Sequence, residues 1–192
     1  MNTALHLLRH RIVMIIATLF LASAMMTQPQ AQTEPQQQDA PQSTGAEVIF
    51  PHYPSVKVVY DFYFDHPDKI NSGLYWIRSL IQPLMDSPYN EAPEMMNIVV
   101  VIHGTEIVTL AKKNYQKYKE AVERMRYYHQ LGVQFHICGL AMHDFDYTPQ
   151  DMQDFVKIVP SAFADLAGLQ QEGYALITPR IFTRQIHIQD IR

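Results

Sequence analysis

The sequence predicts an α/β fold: a mostly parallel sheet of about five strands with helices on both faces. Two observations carry that prediction. Segments rich in β-branched and aromatic residues alternate with segments of helical spacing from Val56 to Ile177. The run Met96-Asn97-Ile98-Val99-Val100-Val101-Ile102 is apolar apart from Asn97, as strands covered on both faces are.

Val56 to Phe64 is the first strong strand, with content suited to a pleated surface. Before it, Val48-Ile49-Phe50 is at most a short edge piece, because Pro51 and Pro54 forbid a long strand. Asp65-His66-Pro67-Asp68 opens a helix, with Asp65 as cap and Pro67 in the first turn. Ile70, Leu74, Ile77 and Ile81 then form one buried stripe, and Pro83 ends or kinks that helix. Ser87 to Pro93 reads as a loop. The second strand, Met96 to Ile102, ends at His103-Gly104, and a short helix starts at Thr105.

A longer helix covers Tyr115 to Gln130, with Tyr118, Val122, Met125 and His129 along one face. Lys119/Glu123 and Glu120/Arg124 have the spacing to pair on another face, and Gly132 caps the end. Val133 to Cys138 is the third strand. Met142 to Tyr147 is expected as a loop, and Thr148 to Asp151 as a capped helical start. Val156 to Val159 is the fourth strand. A helix runs from Pro160-Ser161 to Gln171 and closes at Gly173. Tyr174 to Ile177 is the fifth strand, stopped by Pro179. Thr183 to Arg192 is a loose tail or an added edge strand.

The N-terminus reads differently. Arg9, His10 and Arg11 precede the uncharged apolar run Ile12 to Met26, and Ala22-Ser23-Ala24 is a small-x-small cleavage signal. This is the layout of a secretory signal peptide, residues 1–24, and implies a periplasmic destination. The run is shorter than the roughly 20 apolar residues of a membrane span, so no stable anchor is expected after cleavage. Residues 25–46 are rich in Gln and Pro and read as a disordered linker. The folded domain is expected over 47–179, with a C-terminal tail over 180–192.

The chain carries 15 basic and 19 acidic residues. Cleavage would remove Arg9 and Arg11 and leave a net charge of −6. A mildly acidic chain without a basic cluster is a poor nucleic-acid binder. With one cysteine, Cys138, no intramolecular disulfide is available.

In parallel sheets, ligands and chemistry gather outside the carboxyl ends of the strands. That rule selects Asp65 and His66 after the first strand, His103 and Gly104 after the second, and Cys138 and Gly139 after the third. Cys138 is either a reactive thiol, favoured by a helix start just beyond it, or a packed small hydrophobe. His103 is either a partner for a thiolate or a strand-end histidine bonded to a carbonyl. His143 and Asp144 either face the thiol or form a solvated loop pair. His136 shares the face of Cys138 and reads as a core or interface histidine. Asp61, a charge inside a strand, is expected to face solvent, a subunit partner or Lys57. No metal site is expected, because Cys138, His103 and His143 lack a tight ligand spacing. No organic cofactor is expected either, since there is no Gly-rich phosphate loop.

The segments Leu131-Gly-Val-Gln-Phe-His-Ile-Cys-Gly139, Val159-Pro-Ser161 and Leu169-Gln-Gln-Glu-Gly-Tyr-Ala175 resemble the DsrE/DsrF-like sulfur-relay family. Its small single-domain branch is the nearest likeness. Lys57-Val-Val-Tyr60 and the Val101-Ile-His-Gly104 strand end fit as well. The resemblance implies a parallel α/β fold, a trimer or hexamer of identical chains, and a persulfide-carrying cysteine at the end of the third strand. Cys138 stands at that position. The chain departs from the relay members in having an export signal and no second cysteine. Two functions follow as expectations. One is an exported protein that binds or transfers sulfane sulfur through Cys138, taking it from a small donor and passing it to a partner thiol protein. The other is a non-catalytic oligomeric module that binds a small ligand or metal at the strand ends.

Overall fold

The computed structural model describes residues 45–192. The predicted signal peptide lies outside the described residues, as does the Gln/Pro-rich stretch except for Gly45 and Ala46. Val48 to Phe50 are exposed and pair with no strand, so the short edge piece does not form; Pro51 and Pro54 leave it no ladder to join.

Five strands form one sheet: β1 (Lys57–Phe62), β2 (Asn97–Ile102), β3 (Gln134–Cys138), β4 (Val156–Val159) and β5 (Ala175–Ile177). Their order is β4-β3-β2-β1-β5, and every pairing is parallel. Four helices accompany them: α1 (Ile70–Met85), α2 (Tyr115–Gln130), α3 (Gly139–Asp144) and α4 (Ala162–Gln171). From β1 to β4 the chain steps across the sheet in one direction, with α1 and α2 packed on one face. It then returns to the far side of β1, and α4 lies on the opposite face against Val59, Val99 and Val101. Crossovers of one hand require this change of face when the direction reverses.

The α1/α2 face holds the main core. Tyr60, Phe62, Ile98, Val100, Ile102, Phe135 and Ile137 are each 1% exposed or less. The stripe Ile70, Leu74, Ile77 and Ile81 is buried as the spacing predicts. Pro83 is accommodated within α1, which runs two residues past it because its missing N–H and ring disturb only the last turn. In α2 the buried residues are Ala121, Val122, Met125 and Tyr128, so Tyr128 takes the place expected of His129. Tyr118 departs from helical geometry (φ −113°, ψ 22°), and the first turn is therefore out of phase with the stripe that follows. Gly132 caps the end at φ +96°, a value that a side chain resists.

Two expectations about local structure are corrected. His66, not Asp65, caps the turn ahead of α1: its Nδ1 accepts from the Asp68 N–H at 3.2 Å. Asp65 instead meets Lys69 at 2.7 Å, one helical turn away. Gly139 to Asp144 is a helix where a loop was expected from Met142, because Met142 is buried and draws the segment down onto the core. The last residues form a 3-10 turn, Ile188–Ile191, and no added strand. Among the described residues no helix is long and apolar enough to cross a membrane.

Candidate functional site

Alternation along the strands sends Asp61, His103, His136 and Cys138 to the face covered by α4. Ladder register aligns Asp61 with Val101 and Val101 with His136. The next row places His103 beside Cys138, one residue beyond the last β2–β3 pair, Ile102 and Ile137. This row is the carboxyl edge of the sheet.

His103 is held on three sides. Its Nε2 lies 2.7 Å from Asp61 Oδ1, Tyr63 stacks on the ring at 4.9 Å, and Phe163 of α4 meets it edge-on at 5.4 Å. An ionised carboxylate only accepts, so Nε2 carries the hydrogen, and Nδ1 has no partner among the described residues. The side chain is 8% exposed. Asp61 also accepts a long hydrogen bond from Thr178 beyond β5, at 3.4 Å. Asp61 therefore faces His103, not Lys57, whose Nζ donates to the Glu172 carbonyl at 2.6 Å. The ring of His103 is drawn toward β1, away from Cys138 on the other flank, and no hydrogen bond joins the two.

Cys138 is a free thiol, 6% exposed, and is the residue immediately before α3. Gly139 begins α3; a Cβ there would stand 3.1 Å from the Val159 carbonyl oxygen, so the close approach of β4 calls for glycine. His136 pairs with Asp165 of α4 through Nδ1 at 2.8 Å, while its Nε2 is buried without a partner. It is a core histidine on the same face as Cys138.

Behind the edge lies a buried carboxylate at the start of the turn after β2. Glu106 is fully buried, and its two oxygens accept the backbone N–H of Phe64 at 3.0 Å and of Gly104 at 2.9 Å. It ties the exit of β1 to the exit of β2. Burial pushes its carboxyl above the ordinary value, and the backbone N–H groups pull against that shift without cancelling it. Gly104 has no room for a side chain, since a Cβ would lie 2.6 Å from both the Phe64 nitrogen and Glu106 Oε2.

A cavity of about 700 Å³ opens at this edge. It lies between the ends of β1, β2 and β5, where the strand order reverses, which is the position expected of a ligand crevice. Asp65, His103 and Gly104 line it; Cys138, Gly139, His66 and His143 do not. The single site expected from three strand ends thus does not form as one: His103 lines the cavity together with residues of α3, and the Cys138 thiol is buried outside the lining. His66 is spent on its turn, and His143 is exposed on α3. Asp144 and the unexpected Arg180 join the lining. Lys69 beside Asp65 holds that carboxyl below its usual range. Among the described residues no group of three or more His, Cys, Asp or Glu could hold a metal.

A family model described as the DsrE/DsrF-like family matches residues 58–179. The chain belongs to the DsrE/DsrF-like family. No curated protein matches it. A similar solved structure is that of a protein of unknown function, MTH1491 from Methanobacterium thermoautotrophicum. It shares 21% identity at a TM-score of 0.52, over 65% of this chain and 99% of that one. That likeness bears on the fold, a five-stranded parallel sheet with helices. Membership of the DsrE/DsrF-like family suggests a fold of the sulfur-relay type. Asp61 stood out in the sequence as a charge inside a strand, but its pairing with His103 did not. Asp165, Glu106 and Arg180 carried no such mark.

Proposed function

We propose that this DsrE/DsrF-like chain is an exported protein that accepts and passes on sulfane sulfur through Cys138, acting as a homo-oligomer. The observation that carries the reading is the register at the carboxyl edge, which sets Cys138 beside His103 and directly before α3. His103, held by Asp61 through Nε2, stands at the neighbouring strand end, and the thiol proton leaves to solvent.

The Cys138 thiolate attacks the outer sulfur of a donor persulfide, R–S–SH. A Cys138–S bond forms as the donor's S–S bond breaks, and the donor leaves as R–S⁻ with the bonding pair. The reverse step on a partner thiol unloads the sulfur, and no outside oxidant or reductant is required.

Intact-mass analysis after incubation with polysulfide tests this. The wild type is expected to gain sulfur mass that a reductant removes, and Cys138→Ser is expected to gain none. No gain in a folded wild-type protein would overturn the reading.

A second reading, a non-catalytic binding module, is favoured by the 6% exposure of Cys138 and its absence from the cavity lining. Slow thiol labelling of the folded protein that rises only on denaturation would select it.

A further inference from the structure

We infer that the cavity at the ends of β1, β2 and β5 binds an organic monoanion, with its acid group on His103 and Arg180 and its apolar body on Tyr63, Phe145 and Phe182. The inference rests on the cavity and not on the cysteine, so it stands apart from the sulfur reading.

Size comes first. About 700 Å³ is within the range of small-molecule sites, roughly 300–1,000 Å³, and well above what an inorganic anion fills. Position agrees, since the cavity sits at the reversal of strand order. The wall is built largely from apolar and aromatic groups: Tyr63, Phe64, Phe145, Ile181 and Phe182. Tyr63 and Phe182 are 70% and 81% exposed, large apolar surfaces that nothing in the described chain covers.

The polar groups then set the chemistry. His103 lines the cavity, is more than nine-tenths buried, and has one ring nitrogen fixed by Asp61. Among the described residues its other nitrogen, Nδ1, has no hydrogen-bond partner. A protonated His103 ring would offer its Nδ1–H to an anion, with Nε2 held by Asp61. Of the two lining cations, Lys69 is engaged by Asp65 at 2.7 Å. Arg180 has no acidic partner among the described residues and can take a carboxylate with two parallel hydrogen bonds. Asp144, also without a cationic partner among the described residues, adds a negative charge to the lining and selects against a second acid group.

Titration calorimetry of the folded chain with phenylpropionate, its neutral amide, the dianion phenylsuccinate and acetate tests the inference. Phenylpropionate is expected to bind saturably, and each of the other three more weakly by about tenfold or more, the worth of one charge-assisted contact or of the lost ring. Arg180→Ala, on an exposed side chain that leaves folding intact, is expected to weaken phenylpropionate about tenfold and the amide little. His103→Asn is expected to do the same, with circular dichroism confirming the fold, and Cys138→Ser to change nothing. Equal binding of acid and amide, indifference to Arg180→Ala, or no saturable binding of phenylpropionate would each overturn it.

Discussion

The two faces of the sheet are built on opposite principles. On the α1/α2 face, Tyr60, Phe62, Val100 and Ile137 are sealed by two sixteen-residue helices. On the other face one ten-residue helix, α4, covers Val59, Val99 and Val101, and the same strands also send Asp61, His103, His136 and Cys138 there. The first face is ordinary apolar burial. The second places two histidine–carboxylate pairs and a thiol in a half-covered layer, where each charge needs its partner. Stability resides on one face, and chemistry has room on the other.

Substitutions can break or sharpen that contrast. The largest effect is expected at Phe62→Ala on the sealed face, a loss of about 3–5 kcal/mol in denaturant unfolding. A loss similar to that of a surface change would refute the division. Next is Glu106→Gln at the edge between the faces. Its amide sets an N–H₂ against a backbone N–H, with an expected cost of about 1–3 kcal/mol.

Glu106 also predicts a pH dependence of unusual sign. Its folded value is raised by burial, so between the ordinary carboxylate value and the raised one the folded state binds the extra proton. Over that window Glu106 makes stability fall as pH rises, opposite to a salt-bridged carboxylate. Subtracting the stability–pH curve of Glu106→Gln from that of the wild type should reveal this slope; a difference curve of the other sign would refute it.

On the polar face, Asp165→Ala removes the partner of His136 and is expected to cost about 1–2 kcal/mol. The double change His136→Leu, Asp165→Leu should cost less than the single one, because no buried polar atom is then stranded. The smallest effect is expected at Phe163→Ala. That ring is 74% exposed and touches His103 only edge-on, so stability should move by about 0.5 kcal/mol or less.

The same contrast explains what could be read in advance. The sealed face announces itself in sequence: Ile70, Leu74, Ile77 and Ile81 recur at helical spacing, and Asn97 to Ile102 is a near-unbroken apolar run. Both signals are local. The polar face is assembled from residues far apart in the chain, and which carboxylate meets which histidine is decided by register. His103 and Cys138 were identifiable as strand ends, yet the Asp61 bond that turns His103 toward β1 follows only from the pairing of β1 with β2. The helix at Gly139 to Asp144 was illegible for a related reason: burial of Met142, a tertiary effect, makes it. Likewise the cavity depends on β5 lying beside β1, which brings Thr178 to Phe182 opposite Tyr63 to Asp65.

That last pairing sets a timetable. Val58 pairs with Ala175, and Thr178 reaches back across 117 residues to Asp61. Contacts so distant in the chain form slowly, because a long loop must close before they stabilise anything. As the chain is made, β1 to β4 can assemble while one side of β1 is still an open edge. Residues 175–182, made after β4, then close the sheet and supply one wall of the cavity in the same act. A chain cut before Ala175 would keep its sealed core, yet it would carry an unpaired β1 edge and half a pocket. Completion of the cavity is thus tied to the arrival of residues 175–182.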